Sequence, residues 1–155
     1  MQMPTPTTEH ERLALFEGQW EGDERILPTP FDPEGGPARG AWTARLALGG
    51  FCLIADYRQR RGGEVNFEGH GVYGWDPRGR CYTLHWFDST GIEHGEPAFG
   101  AWDGDRLTLM HETSHAGHSR HVYEVAGDRF RFSLEHSPDG VEWMPFLQGE
   151  YERVG

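Results

Sequence analysis

The chain has 155 residues, enough for a single domain (1–155) whose core needs no metal or disulfide staple. Its 25 acidic and 14 basic side chains leave a formal net charge of −11, which repels phosphate backbones and anionic lipid, so neither nucleic acid nor membrane is an expected partner. The opening MQMPTPTTEH lacks a basic segment followed by an apolar run, and no stretch approaches the ~20 apolar residues of a membrane span, so a cytoplasmic location is expected.

In chain order, residues 1–7 are rich in Pro and Thr and are expected to be loose. Thr8 followed by Glu11 reads as a capping box, and Leu13 with Phe16 supplies the apolar edge of a short helix ending at Gly18. From there the pattern changes to near-alternating runs separated by Gly, Asp and Pro clusters, the pattern of an antiparallel meander. Ten strands are predicted: 18–27, 40–48, 51–60, 65–75, 80–88, 97–102, 106–112, 119–125, 129–137 and 144–154. Connections at 49–50, 76–79, 103–105 and 126–128 read as tight, those at 28–39, 61–64, 89–96, 113–118 and 138–143 as longer, in strict alternation. In an up-and-down meander alternate turns share an end, so the fold class is all-β, an up-and-down antiparallel β-barrel of about ten strands with the short N-terminal helix closing one end. Trp20 then plugs the closed end. Cys52 and Cys81 fall on strands one apart, about 9 to 10 Å from each other, and are expected to stay reduced.

Alternation also sorts the side chains. Phe130, Phe132, Leu134 and His136 share one face of their strand, as do Leu107, Leu109 and His111, and His121, Tyr123 and Val125. On the third to fifth strands the inward sets are Leu53, Ala55 and Tyr57, then Phe67, Gly69, Gly71 and Tyr73, then Tyr82, Leu84 and Trp86. Six of the nine histidines (His94, His111, His115, His118, His121 and His136) fall in long connections or at strand ends on the open rim. The expected ligand-binding set is Tyr57, Tyr73, Trp86, His111, His121, Phe130, Phe132, Leu134 and His136, an apolar lumen with a few polar groups converging at its mouth. Acidification that charged those histidines would weaken binding of an apolar ligand. His115, His118 and His121 are the metal candidates, but their spacing of three would point successive rings to opposite faces of a strand. Arg58, Arg60 and Arg61 form a basic group at the rim, read as a solvated hairpin rather than a carboxylate clamp. No G-x-S-x-G elbow is present, and Ser114 and Ser119 gain little from nearby histidines. Glu24 is one acid that could point inward, where loss of water would raise its pKa.

Gly18-x-Trp20 after a short helix, with Arg153 on the last strand, resembles the lipocalins and their calycin relatives, in which an arginine packs across the tryptophan to close the barrel floor. Gly18-x-Trp20-x-Gly22, FEGHGVYGWDP (67–77), YTLHWFDS (82–89), GAWDGDRLTL (100–109) and GEYER (149–153) resemble, more narrowly, a bacterial lipocalin-like family catalogued only as a domain of unknown function. That resemblance implies the barrel and assigns Gly18, Trp20 and Arg153 to barrel closure. The opening is also similar to that of the nitrobindins, haem-holding barrels with a Gly-x-Trp-x-Gly-x-Gly motif, but Glu24 stands at the last glycine and strand 144–154 lacks their iron-ligating histidine. No cofactor is predicted, haem or a divalent metal being the alternative, with His136 the inward haem candidate. The expectation is thus a non-enzymatic barrel holding a small, largely apolar molecule. A metal- or haem-dependent enzyme or redox protein using mouth histidines is the alternative, and a homodimer through Cys52, Ile54 and Val72 a third.

Overall fold

The computed structural model describes residues 1–30, 32–92, 96–113 and 117–155, with side chains undescribed at 112 and 113. Helix α1 covers Thr8–Arg12 and continues as a 3-10 turn over Leu13–Phe16. Ten strands follow: β1 (Gly18–Ile26), β2 (Gly36–Ala47), β3 (Cys52–Arg61), β4 (Glu64–Asp76), β5 (Cys81–Asp88), β6 (Ala98–Asp103), β7 (Arg106–Thr113), β8 (Gly117–Ala126), β9 (Arg129–Ser137) and β10 (Met144–Arg153). Each pairs antiparallel with its chain neighbours, and β1 pairs with β10 from Trp20 opposite Arg153 to Ile26 opposite Leu147, closing the barrel. Closure removes the exposed edges that an open sheet must otherwise protect.

Two details differ from the sequence reading. The helix cap lies one residue earlier, at Thr7, whose N–H donates to His10 Nδ1 at 3.0 Å, so His10 takes the role expected of Glu11. The strict alternation of tight and long connections also fails. β3 and β4 join through Gly62 and Gly63 alone, with φ of 58° and 83°, a left-handed pair that glycine adopts without steric cost. The two ends nonetheless differ as expected. Short connections at Leu48–Phe51, Pro77–Arg80, Gly104–Asp105 and Gly127–Asp128 gather at the helix end, and the longer segments 27–35, 89–97 and 138–143 at the other.

The helix end is sealed. Trp20 is 1% exposed and donates from Nε1 to Phe16 O at 2.9 Å. The Arg153 guanidinium lies 4.1 Å over the Trp20 ring, donates to the Glu17 and Leu15 carbonyls, and pairs with Asp128 at 2.9 Å. Gly18 (φ 125°) permits that closure, because a Cβ there would lie 2.6 Å from Arg153 Nη1. Phe16 enters the barrel and meets Tyr123 at 5.5 Å and Phe130 at 5.9 Å between ring centroids. Above it the lower interior is a packed aromatic core in which Trp42 contacts Tyr57 and Phe132, and Phe130 contacts Tyr151. Cys52 and Cys81 are free thiols on β3 and β5, with β4 between them. No helix among the described residues is long and apolar enough to cross a membrane.

Candidate functional site

The interior changes character along the barrel axis. Near the base Leu107 and Leu109 are fully buried, while Leu46, Trp75 and Trp102 at the same end are partly buried. Toward the mouth the same rows open: Phe67 on β4, Trp86 on β5, Leu134 on β9 and Leu147 on β10 pack on the core yet are only half-buried. His111, Ser119 and His136 continue these rows upward as register neighbours, His111 opposite Ser119 and Ser119 opposite His136. This half-buried end of the interior, the cup, is apolar on its sides and imidazole-bearing at its rim.

The sequence-predicted residues divide between the cup and its support. Trp86, Leu134, His111, His121 and His136 line or rim the cup, with Tyr57 and Phe132 beneath them. Tyr73 and Phe130 lie deeper, in the packed half. They line a cavity of about 20 Å³ shared with Phe16, Trp20, Trp42, Ala44, Leu53, Ala55 and Tyr123, room for about one water molecule. Tyr73 and Tyr123 bond hydroxyl to hydroxyl at 2.6 Å, and burial raises the pKa of both phenols. His136 stacks on Phe146, ring centroids 5.3 Å apart, where a register shift between Pro145 and Leu147 lets β10 bulge.

His121 is buried beside Trp86, Phe132 and His111, at ring separations of 6.3, 6.0 and 6.3 Å. Burial, with a smaller contribution from neighbouring His111, lowers its pKa to about 3. It is a neutral imidazole over the ordinary pH range, so the expected acid-driven charging of the mouth does not extend to it. His118 falls on the opposite face of β8, its ring 6.5 Å from that of Trp143 in the 138–143 segment on the outer wall. Regular strand geometry thus keeps His118 and His121 apart, as their spacing of three implies. His94, His115 and Ser114 lie outside the described residues, and among the described residues no group of three or more His, Cys, Asp or Glu side chains gathers as metal ligands would.

Beneath the cup lies a polar cluster of which the sequence reading identified Glu24 and Tyr57 but not Gln59 or Tyr151. Glu24 is 5% exposed. Tyr57 OH lies 2.8 Å from Oε1 and 2.7 Å from Oε2, Tyr151 OH donates to Oε2, and Gln59 Nε2 donates to Oε1 at 3.2 Å. Gln59 also donates to the Tyr57 hydroxyl at 3.0 Å and accepts from Asn66 Nδ2 at 2.9 Å. Burial pushes the Glu24 pKa up, only partly opposed by the hydrogen bonds from Tyr151, Tyr57 and Gln59. Burial and the nearby Glu24 charge raise the Tyr57 phenol well above its usual range. Glycines make the room: a Cβ on Gly40 would lie 2.2 Å from Glu24 Oε2, and one on Gly149 2.1 Å from the Tyr151 hydroxyl. Gln59 and Tyr151 were legible by parity, Gln59 continuing the row of Leu53, Ala55 and Tyr57, and Tyr151 sharing a face with Arg153.

A larger groove of about 790 Å³ runs along the outer wall over β1, β10, β9 and β8. Among its charges Arg131 pairs with Glu150 at 3.2 Å and Arg39 with Asp23 at 3.0 Å across strands, in solvent where such pairs carry little energy. Volume favours the groove, but convergence of apolar walls and buried polar groups favours the cup. Arg58 pairs with Glu68 at 3.1 Å on the outer face, while Arg61 turns to the 27–35 segment and binds Asp32 at 2.6 Å and the Gly35 carbonyl at 2.7 Å.

A family model described as a protein of unknown function, DUF1579, matches residues 5–153. The chain belongs to the DUF1579 family. The family of unknown function expected from the sequence motifs is thereby shown, together with a closed ten-stranded antiparallel barrel. Among curated proteins none matches this DUF1579 chain. Among solved structures the chain is similar to Rv2717c from M. tuberculosis, with a TM-score of 0.72 and 16% identity over 96% of this chain and 99% of that one, a likeness of fold.

Proposed function

We propose that the barrel is a binding protein that takes a small, largely apolar molecule into the cup at its mouth. One observation carries the reading: the base is sealed by Trp20 beneath the Arg153 guanidinium, whereas at the open end Phe67, Trp86, Leu134 and Leu147 face the interior and are only half-buried. Apolar side chains that face a barrel interior and still meet solvent gain stabilisation when a ligand covers them, about 25 cal/mol per Å² removed from water. The neutral His121 imidazole and the Glu24 cluster supply the few fixed polar groups that orient such a ligand.

The test is titration with the neutral apolar dye Nile red, read by fluorescence, alongside native mass spectrometry of the freshly purified chain for a retained molecule. The wild type is expected to bind one dye per chain. Trp86→Ala weakens that binding by about tenfold, the equivalent of roughly 1.4 kcal/mol of lost contact. Phe99→Ser, on the exposed outer face of β6, leaves it unchanged. Equal binding by Trp86→Ala, or loss of binding in Phe99→Ser, would place the dye outside the cup and refute the reading.

A further inference from the structure

The Glu24 cluster says more about the ligand than its polarity. Its carboxylate is buried, and all three of its hydrogen-bond partners, Tyr57, Tyr151 and Gln59, are neutral donors. No cation pairs with Glu24 among the described residues. Neutral dipoles reduce the cost of burying a charge without cancelling it, so the cluster retains an uncompensated negative potential.

That potential faces the cup. The Tyr57 ring, whose hydroxyl binds Glu24, packs against Phe67 and Trp86, ring centroids 6.1 and 6.5 Å away, and both are half-buried cup walls. Trp86 Nε1 donates to Asp88 Oδ2 at 3.1 Å, which puts a second carboxylate at the upper end of that wall. Two groups that could offset these charges are occupied or neutral. Arg61 is held by Asp32 and Gly35, and His121 keeps its imidazole uncharged. The faces of Tyr57 and Trp86 are themselves electron-rich and attract cations.

We propose that the cup selects ligands that join an apolar body to a positively charged nitrogen, an amine or quaternary ammonium, and rejects carboxylates, with Glu24 as the residue that sets the preference. The proposal rests on the cup being the binding site. The ammonium supplies the counter-charge that Tyr57, Tyr151 and Gln59 do not, while a carboxylate meets two like charges and two aromatic faces.

The experiment compares octylamine, octanol and octanoate as competitors of Nile red at mildly alkaline pH, where the amine stays charged and exposed histidines are neutral. Octylamine is expected to compete at least about tenfold better than octanoate, the effect of one unit charge several Å away at an effective dielectric near 20, with octanol between them. In Glu24→Gln the amine-to-acid ratio falls to within about threefold. Octanoate competing as well as octylamine while octanol still binds, or an unchanged ratio in Glu24→Gln, overturns the charge selection and leaves the cup standing. If none of the three competes, the cup reading fails and this one with it. Circular dichroism reports whether Glu24→Gln folds, and if it does not, the wild-type order of the three compounds decides alone.

Discussion

Replacing Arg153 with Met tests the closure of the barrel floor. Met keeps an unbranched apolar stem over Trp20 and removes the guanidinium, so what is lost is the charge on the ring face and the donors to two carbonyls. The guanidinium lies 4.1 Å above an indole that is 1% exposed, a desolvated geometry in which a cation–π contact is worth about 1 to 2 kcal/mol. Its hydrogen bonds to Glu17 O and Leu15 O add about 1 kcal/mol together, since the second is long at 3.4 Å. The ion pair with Asp128 adds little, because the Asp128 side chain is 84% exposed. The expected loss is therefore about 3 kcal/mol, or roughly 6 to 12 °C in Tm for a chain of this length. Urea unfolding at neutral pH, analysed by linear extrapolation for Arg153→Met, Arg153→Lys and Asp128→Ala, gives the comparison. Arg153→Lys should recover only part of the loss, since an ammonium cannot stack and fork at once. A loss below about 1 kcal/mol for Arg153→Met, or an equal loss for Asp128→Ala, would show that the stacked guanidinium does not hold the floor.

Glu24→Gln should change how stability depends on pH. Burial raises the Glu24 pKa in the folded chain, so between the ordinary carboxylate value and the raised one the folded state holds more protons than the unfolded state. The wild type therefore gains stability relative to Glu24→Gln as pH falls through that window, and denaturant unfolding of both at several pH values checks it; a constant difference would show that Glu24 is not desolvated. His121, with its pKa lowered to about 3, should show no chemical-shift titration by NMR from neutral pH down to about 4, whereas a midpoint near the free-histidine value would mean that water reaches it.

Much of the fold was legible because alternation reports which side of a strand meets the interior. The rows Leu53, Ala55, Tyr57 and Phe130, Phe132 are buried as their parity implies, and Gly18, Trp20 and Arg153 meet at the base. The cup was legible in part. Trp86, Leu134, His111 and His136 reach the mouth, but Tyr73 and Phe130 share their parity and lie in the packed half. Parity gives a face and says nothing of height, because each strand is staggered against the next and the level of a side chain depends on accumulated register. The β10 bulge at Phe146, which alters register locally, carried no signal beyond common residues, whereas Gly62–Gly63 was legible as a two-residue hairpin turn.

The sequence by itself determined the strand pattern, the inward rows, the sealed base and the asymmetry between the two ends, since each follows from local periodicity and turn chemistry acting over a few residues. Only the tertiary structure decided how far the lumen is filled and that Glu24, Tyr57, Gln59 and Tyr151 share one cluster. Glu24 and Tyr151 are separated by 127 positions in the chain and meet only because β1 closes on β10. The charge that this closure buries without a cation exists in no local stretch of sequence; it is a property of the ring of strands.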